Sequence, residues 1–304
     1  VIAIARPFAA RQAGADASDG TTAPTPTASP VPTPLAAPDY QALLASVDAA
    51  INPPMQQLIA AHTMAEVRTG AAGLAAATQS GYAKLTAATP PTAAATAHQN
   101  VVRAFSQFQD IAEDTASATR SGAVCSASAA VPKLTNSPGA TALRAAATEL
   151  AAVDPASPFK IGFWLPAATP EQSRRLANGA FVKKGTRNGS GQLKIDNTGG
   201  SKDVSMSLAT AGAKTTAFAV YVRAGSSYTV TGVKDGTYDI YMTSGTDWDP
   251  VGPGFSRDCG FSKFDDPLAF KTTNSQYTIW TLTLKASAAG NASTAEVNPD
   301  EFPQ

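Results

Sequence analysis

Along the first half of the chain, apolar residues return at helical spacing. Tyr40, Leu43, Leu44, Val47 and Ile51 fall on one face, with Asp39 as the expected N-cap after Pro38. Asn52-Pro53-Pro54 is expected to end this helix, because proline has no N–H to donate and clashes with the preceding turn. A second helix is predicted from about Met55 to Ala88, with Ala60, Thr63, Val67, Gly70, Leu74, Gly81 and Leu85 on one stripe. Small residues on that stripe predict a close helix pair, although a helical glycine costs about 1 kcal/mol relative to alanine. A third helix, Thr92 to Ala118, carries Val101, Val102, Phe105, Phe108 and Ile111. Ser137-Pro138 opens a fourth, with Leu143 and Leu150 inward and Asp154-Pro155 as its stop. Four such helices with short proline turns predict a bundle or paired hairpins.

From Leu193 the period becomes two. LKIDN, DVSMSLA, TAFAVYV, SYTVTG, GTYDIYM and QYTIWTLTL alternate apolar with polar residues. Asn197-Thr198-Gly199-Gly200, Ala224-Gly225 and Lys234-Asp235-Gly236 supply the turns. Short strands without helices between them predict an antiparallel β-sandwich. The expected fold class is therefore α+β in two domains, an alanine-rich helical bundle followed by the β-sandwich. The divisions are an apolar N-terminus with a disordered Pro/Thr/Ala-rich spacer (1–38), the bundle (39–154), a connector (155–192), the sandwich (193–290) and a loosely held polar tail (291–304).

Composition narrows the function. Lys+Arg and Asp+Glu number 23 each, so no overall field favours nucleic acid. Two histidines and two cysteines leave little material for metal or nucleophilic chemistry, and no cofactor or metal is expected. The apolar start VIAIARPFAA turns basic at Arg6 and Arg11, and TTAPTPTASPVPTPLAAP follows as a semi-rigid spacer. This order implies an extracytoplasmic protein, secreted or tethered to a membrane by a segment upstream of or including residues 1–5. In the connector, PFKIGFWLP is expected to pack against one of the domains. The basic run RRLANGAFVKKGTRNGSG reads as a solvated loop, with contact to an anionic envelope polymer as its rival.

The stretch VRAGSSYTVTGVKDGTYDIYM, a strand into Ala-Gly, a strand into Asp-Gly, then Thr-Tyr-x-Ile, resembles transthyretin-like or carboxypeptidase-regulatory-like β-sandwich modules. The resemblance spans at most Leu193 to Leu284 and implies a non-catalytic accessory, stalk or binding domain. The chain departs from the pattern by the insert TSGTDWDPVGPGFSRDCGFSKFDDPLAF, where a tight turn is expected. The overall layout is also similar to alanine-rich, secreted or membrane-anchored bacterial proteins of actinobacterial type.

Candidate chemistry concentrates in few places. Outside the cytoplasm Cys125 and Cys259 are expected to form one disulfide between the two domains, in preference to a Cys–His98 nucleophile. His62 and His98, without further ligands, read as buried core histidines rather than a zinc site. In the insert, residues 245–267, Asp247 and Asp249 accompany Trp248 and Phe255. Three readings stand: aromatics capping the sandwich, a sugar-binding surface including Tyr241, or a calcium pair at Asp247 and Asp249. The leading expectation is a binding or structural protein that acts through this insert, with a cell-envelope polymer or surface protein as partner. The alternatives are a glycan-active hydrolase using the insert's aspartates, such as Asp247 with Asp265, or a subunit of a surface assembly.

Overall fold

The computed structural model describes residues 33–213, 215–284, 293–299 and 302–303, so the expectations for the N-terminal anchor and most of the spacer lie outside the described residues. The helices are α1 (Ala37–Ile59), α2 (Met64–Ala87), α3 (Ala95–Ser121, preceded by a 3-10 turn at Thr92–Ala94), α4 (Ala127–Thr135) and α5 (Pro138–Ala151).

Helix α1 runs through Pro53 and Pro54 rather than stopping before them. Two carbonyls one turn back lose their donors, but continuing the helix carries Met55 and Leu58 into the same core as Tyr40, Leu44, Val47 and Ile51. Helix α2 accordingly begins later than expected, at a capping box. The Thr63 hydroxyl accepts from the Glu66 N–H at 3.2 Å, and the Glu66 carboxylate accepts from the Thr63 N–H at 3.0 Å. Of the predicted stripe, Val67, Gly70, Leu74, Gly81 and Leu85 are buried, whereas Ala60 and Thr63 precede the helix and are exposed. Ser137 caps α5 as its sequence implies, accepting from the Ala140 N–H at 3.0 Å. Phe159, Ile161 and Trp164 of the connector enter the helical core, Trp164 meeting Phe108 edge to face at 5.0 Å between centroids.

The strands are β1 (Phe181–Lys183), β2 (Gly191–Asn197), β3 (Asp203–Thr210), β4 (Thr216–Val222), β5 (Ser226–Val233), β6 (Gly236–Asp249), β7 (Gly254–Phe264), β8 (Leu268–Phe270), β9 (Ile279–Thr283) and β10 (Thr294–Glu296). One sheet has the order β1-β4-β3-β6-β7-β10, with β8 also paired to β6; the other has the order β5-β2-β9. All pairs are antiparallel except β2 with β9. A single apolar core draws Val204, Met206, Leu208, Phe218, Val220 and Ile240 from the first sheet and Leu193, Ile195, Val230 and Leu282 from the second. The chain is thus mixed α+β, a helical region followed by a β region. Residues 34–304 cluster as one unit that contains both.

Two departures place the site. GTDWD does not break the β pattern: β6 continues through it and pairs with β7 up to Trp248↔Phe255 and Asp249↔Gly254. The insert is therefore the far end of a long hairpin. The described parts of the tail are also held: β10 pairs with β7, and the Phe302 ring packs 5.5 Å from Tyr241 and 5.7 Å from Phe261.

Candidate functional site

Strands β3 and β4 of the larger sheet are buried on both faces. Along β3, Val204, Met206 and Leu208 point into the apolar core, so Ser205, Ser207 and Ala209 lie on the opposite face. These three are buried as well, Ser205 and Ser207 each 5% exposed. On that face Ser205 sits opposite Thr243 of β6 and Tyr221 of β4, and Ser207 sits opposite Ala219 and Tyr241. The far end of the β6–β7 hairpin, the tail and the start of α2 cover this floor and leave a cavity of about 670 Å³.

Ser205, Ser207, Thr216 and Thr243 contribute to the cavity floor, and Trp248, Phe255, Phe261 and Phe302 to its walls. The residues His62–Ala65, together with Cys125 and Ser126, enclose it from the helical side. No aspartate or glutamate of the described residues lines it. The Thr216 hydroxyl donates to the Pro303 carbonyl at 3.2 Å, which fixes the tail over one end of the floor.

Arginines from the connector hold the hairpin in place. Arg174 donates to Asp247 from its backbone N–H (2.7 Å), Nε (2.9 Å) and Nη2 (2.7 Å), and Ser256 Oγ adds a fourth bond at 2.6 Å. Burial pushes the Asp247 carboxyl up, but the Arg174 and Ser256 bonds outweigh it and hold the pKa at about 2. Asp249 Oδ1 lies 3.8 Å from Arg174 Nη1, so a guanidinium stands beside both aspartates of the calcium reading. Arg174 Nη2 also reaches Ser128 of α4 at 3.0 Å, tying the hairpin to the helical region. Arg175 donates through Nε to Asp203 at 2.7 Å, and Asp203 also accepts from the Tyr221 hydroxyl and the Ala224 N–H. The basic run is therefore not a solvated loop at its start. Its partners are remote in sequence, in β3 and β6, which is why a local reading found no acid to pair them.

The disulfide forms between Cys125 and Cys259. Around it the segment Gly122–Cys125 lies along β7: Cys125 N–H donates to Ser256 O and Cys259 N–H to Gly122 O, each at 2.8 Å. Gly122 ends α3 with φ 76°, a left-handed conformation that glycine adopts without a side-chain clash. Both sulfurs being bonded, the Cys–His98 pair has no thiol. His98 is a core histidine, between the Tyr40 hydroxyl (2.8 Å) and the Leu85 carbonyl (3.1 Å); burial lowers its pKa against the opposing pull of that carbonyl. His62 is not in the core, because it falls in the link between α1 and α2, where it is exposed and borders the cavity.

Of the residues singled out in the sequence, Trp248 and Phe255 meet at 5.1 Å between centroids and pack with Tyr221, and both line the cavity. They are 5% and 6% exposed, so neither offers an open face for stacking a sugar. Asp247 and Asp249 are buried beside Arg174. Tyr241 lies seven residues from Trp248 on β6, against Phe302. Because Tyr241 faces Lys263, Asp265 is level with Asp239 and roughly 25 Å along the strand from Asp247, well beyond the spacing of a glycosidase carboxylate pair. Among the described residues, no group of three His, Cys, Asp or Glu side chains is placed to hold a metal ion, and no helix is long and apolar enough to cross a membrane.

Ser205, Ser207 and Thr243 escaped the sequence reading. The sequence carries little signal for them: the alternate positions of DVSMSLA are Asp, Ser, Ser and Ala, a set that fits a solvated sheet face equally well. Comparison with protein-family models, with curated proteins and with solved structures finds no match to this chain.

Proposed function

We propose that this chain is a non-catalytic binding module of the cell exterior, acting through the cavity beneath the β6–β7 hairpin. In this reading the two sheets are a β-sandwich of transthyretin-like kind, forming a domain of their own beside the helical bundle. The residues before the helices tether the protein to a membrane, and the partner is a cell-envelope polymer. One observation carries the proposal: a cavity of about 670 Å³, within the usual range for small-ligand sites, walled partly by the insert's Trp248 and Phe255. The disulfide supports an oxidising compartment. The separation of Asp247 from Asp265 weighs against the hydrolase alternative.

Co-sedimentation of the full chain with isolated cell-envelope fragments tests this. The native protein is expected to sediment with the fragments, and Ser207→Phe, which fills the cavity from its floor, to stay in solution with an unchanged melting temperature. Thr243→Phe provides a second filling should the first unfold. Equal sedimentation of native and filled proteins, or none by the native protein, sinks the reading.

A further inference from the structure

Three of the four hydroxyl residues on the cavity floor have no bond from the side-chain oxygen to the described protein. Ser205 and Ser207, each 5% exposed, have side chains without a hydrogen-bond partner among the described residues, and their cross-strand neighbour Thr243 has none for its hydroxyl. Thr216, which also borders the cavity, shows the contrast, since its hydroxyl is used by the Pro303 carbonyl. Lining the cavity and used by no protein group, these three hydroxyls are free to bond what occupies it, and a hydroxyl that gains a partner there contributes about 0.5–1.5 kcal/mol.

We propose that the cavity takes an uncharged saccharide, one or two sugar units in size, with Ser205, Ser207 and Thr243 as its recognition residues. This deepens the binding reading above and rests on it. A serine or threonine hydroxyl both donates and accepts, as does a sugar hydroxyl, whereas a carboxylate or phosphate only accepts and an ammonium only donates. Ser205 and Ser207 lie two residues apart on one strand, roughly 7 Å, and Thr243 stands across from Ser205. The hydroxyls thus form a two-dimensional array, which suits a ring bearing several alcohols. No carboxylate of the described residues lines the cavity to hold a cation, and Lys183, which also borders it, is not without a partner of its own. Trp248, Phe255 and Phe302 supply an apolar wall against the C–H groups of such a ring. Recognition therefore falls on the sheet floor, and the aspartates of the insert act only by holding the hairpin above it.

The test is titration of the full chain, by saturation-transfer NMR and calorimetry, with neutral mono- and disaccharides and with their uronic-acid and sugar-phosphate counterparts. Binding is expected among the neutral sugars, with little dependence on salt. The double variant Ser205→Ala with Ser207→Ala is expected to weaken it about ten-fold or more without lowering the melting temperature, since the lost hydroxyls had no protein partner. Binding by the anionic counterparts alone overturns the uncharged class while leaving the cavity as the binding site. Neutral sugars that bind both proteins equally well overturn the role of the serines. If no sugar binds but envelope co-sedimentation remains sensitive to Ser207→Phe, the saccharide assignment fails and the binding module stands; if both are absent, both readings fail.

Discussion

Between α1 and α2 the backbones approach at Gly70. A Cβ placed there would lie 2.8 Å from Leu58 Cα and 2.9 Å from Leu58 N, and these are main-chain atoms that cannot swing aside. Alanine is the better helix former by about 1 kcal/mol, but that gain is smaller than the roughly 1–3 kcal/mol that overpacking costs. Gly70→Ala is therefore expected to lower the urea midpoint, with an unchanged slope if the native packing only shifts. A rise in the midpoint would show that the helix pair moves apart freely. The small-residue stripe was legible in the sequence, because it repeats at helical period. The continuation of α1 through Pro53 and Pro54 was not, because it is decided by Met55 and Leu58 reaching a core built from other helices. Local preference yields to burial there.

At the scale of elements, the β6–β7 hairpin depends on the connector. Arg174 and Ser256 hold the Asp247 carboxylate at a pKa of about 2 against an ordinary 3.8, and Asp203 is lowered in the same direction by Arg175, Tyr221 and the Ala224 N–H in spite of burial. Because the folded values lie below the unfolded ones, both carboxylates stabilise the fold fully above about pH 4 and lose that contribution as pH falls, Asp247 doing so from there towards 2. Asp247 alone accounts for about 2 kcal/mol by the size of its shift. Urea midpoints measured from pH 7 to 2 are expected to be flat and then to fall within that window. Asp247→Asn is expected to be less stable at pH 7 and to converge on the native protein near pH 2; parallel curves would mean that the ion pair contributes nothing. Six strands were legible from their alternation. The hairpin end was hidden because Arg174 and Asp247 are distant in sequence, and the tail's place because Phe302 packs on strands that only the folded sheet brings together. The serine floor was hidden for the same reason: a small polar residue looks identical on a solvated face and under a lid.

For the whole molecule, the edge of β7 is where the helical and β regions join. Gly122–Cys125 covers it around Ser256–Cys259, and β10 covers it from Ser262 to Phe264, so little of the strand's edge remains open to another chain. The disulfide locks the first of these seams. It closes a loop of 134 residues, for which chain entropy gives about 5 kcal/mol, with measured values often smaller. Its consequence reaches the cavity, because Cys125 and Cys259 both border it and the same seam holds His62–Ala65 opposite the serine floor. Cys125→Ser with Cys259→Ser is accordingly expected to lower the unfolding free energy by up to about 5 kcal/mol. It is also expected to separate a single urea transition into two, since the backbone ladder at Gly122–Cys125 and the Arg174–Ser128 bond are then left to couple the regions. Tryptophan fluorescence can follow the two parts: Trp164 lies in the helical core, and Trp248 and Trp280 lie in the β region. Cavity binding is expected to weaken at denaturant concentrations where Trp164 alone has begun to report unfolding, because the roof opens while the sheet persists. Coincident transitions at full stability in the double variant would mean that the ladder and the arginine clamp suffice to unite the two regions, and that the disulfide adds only oxidative robustness.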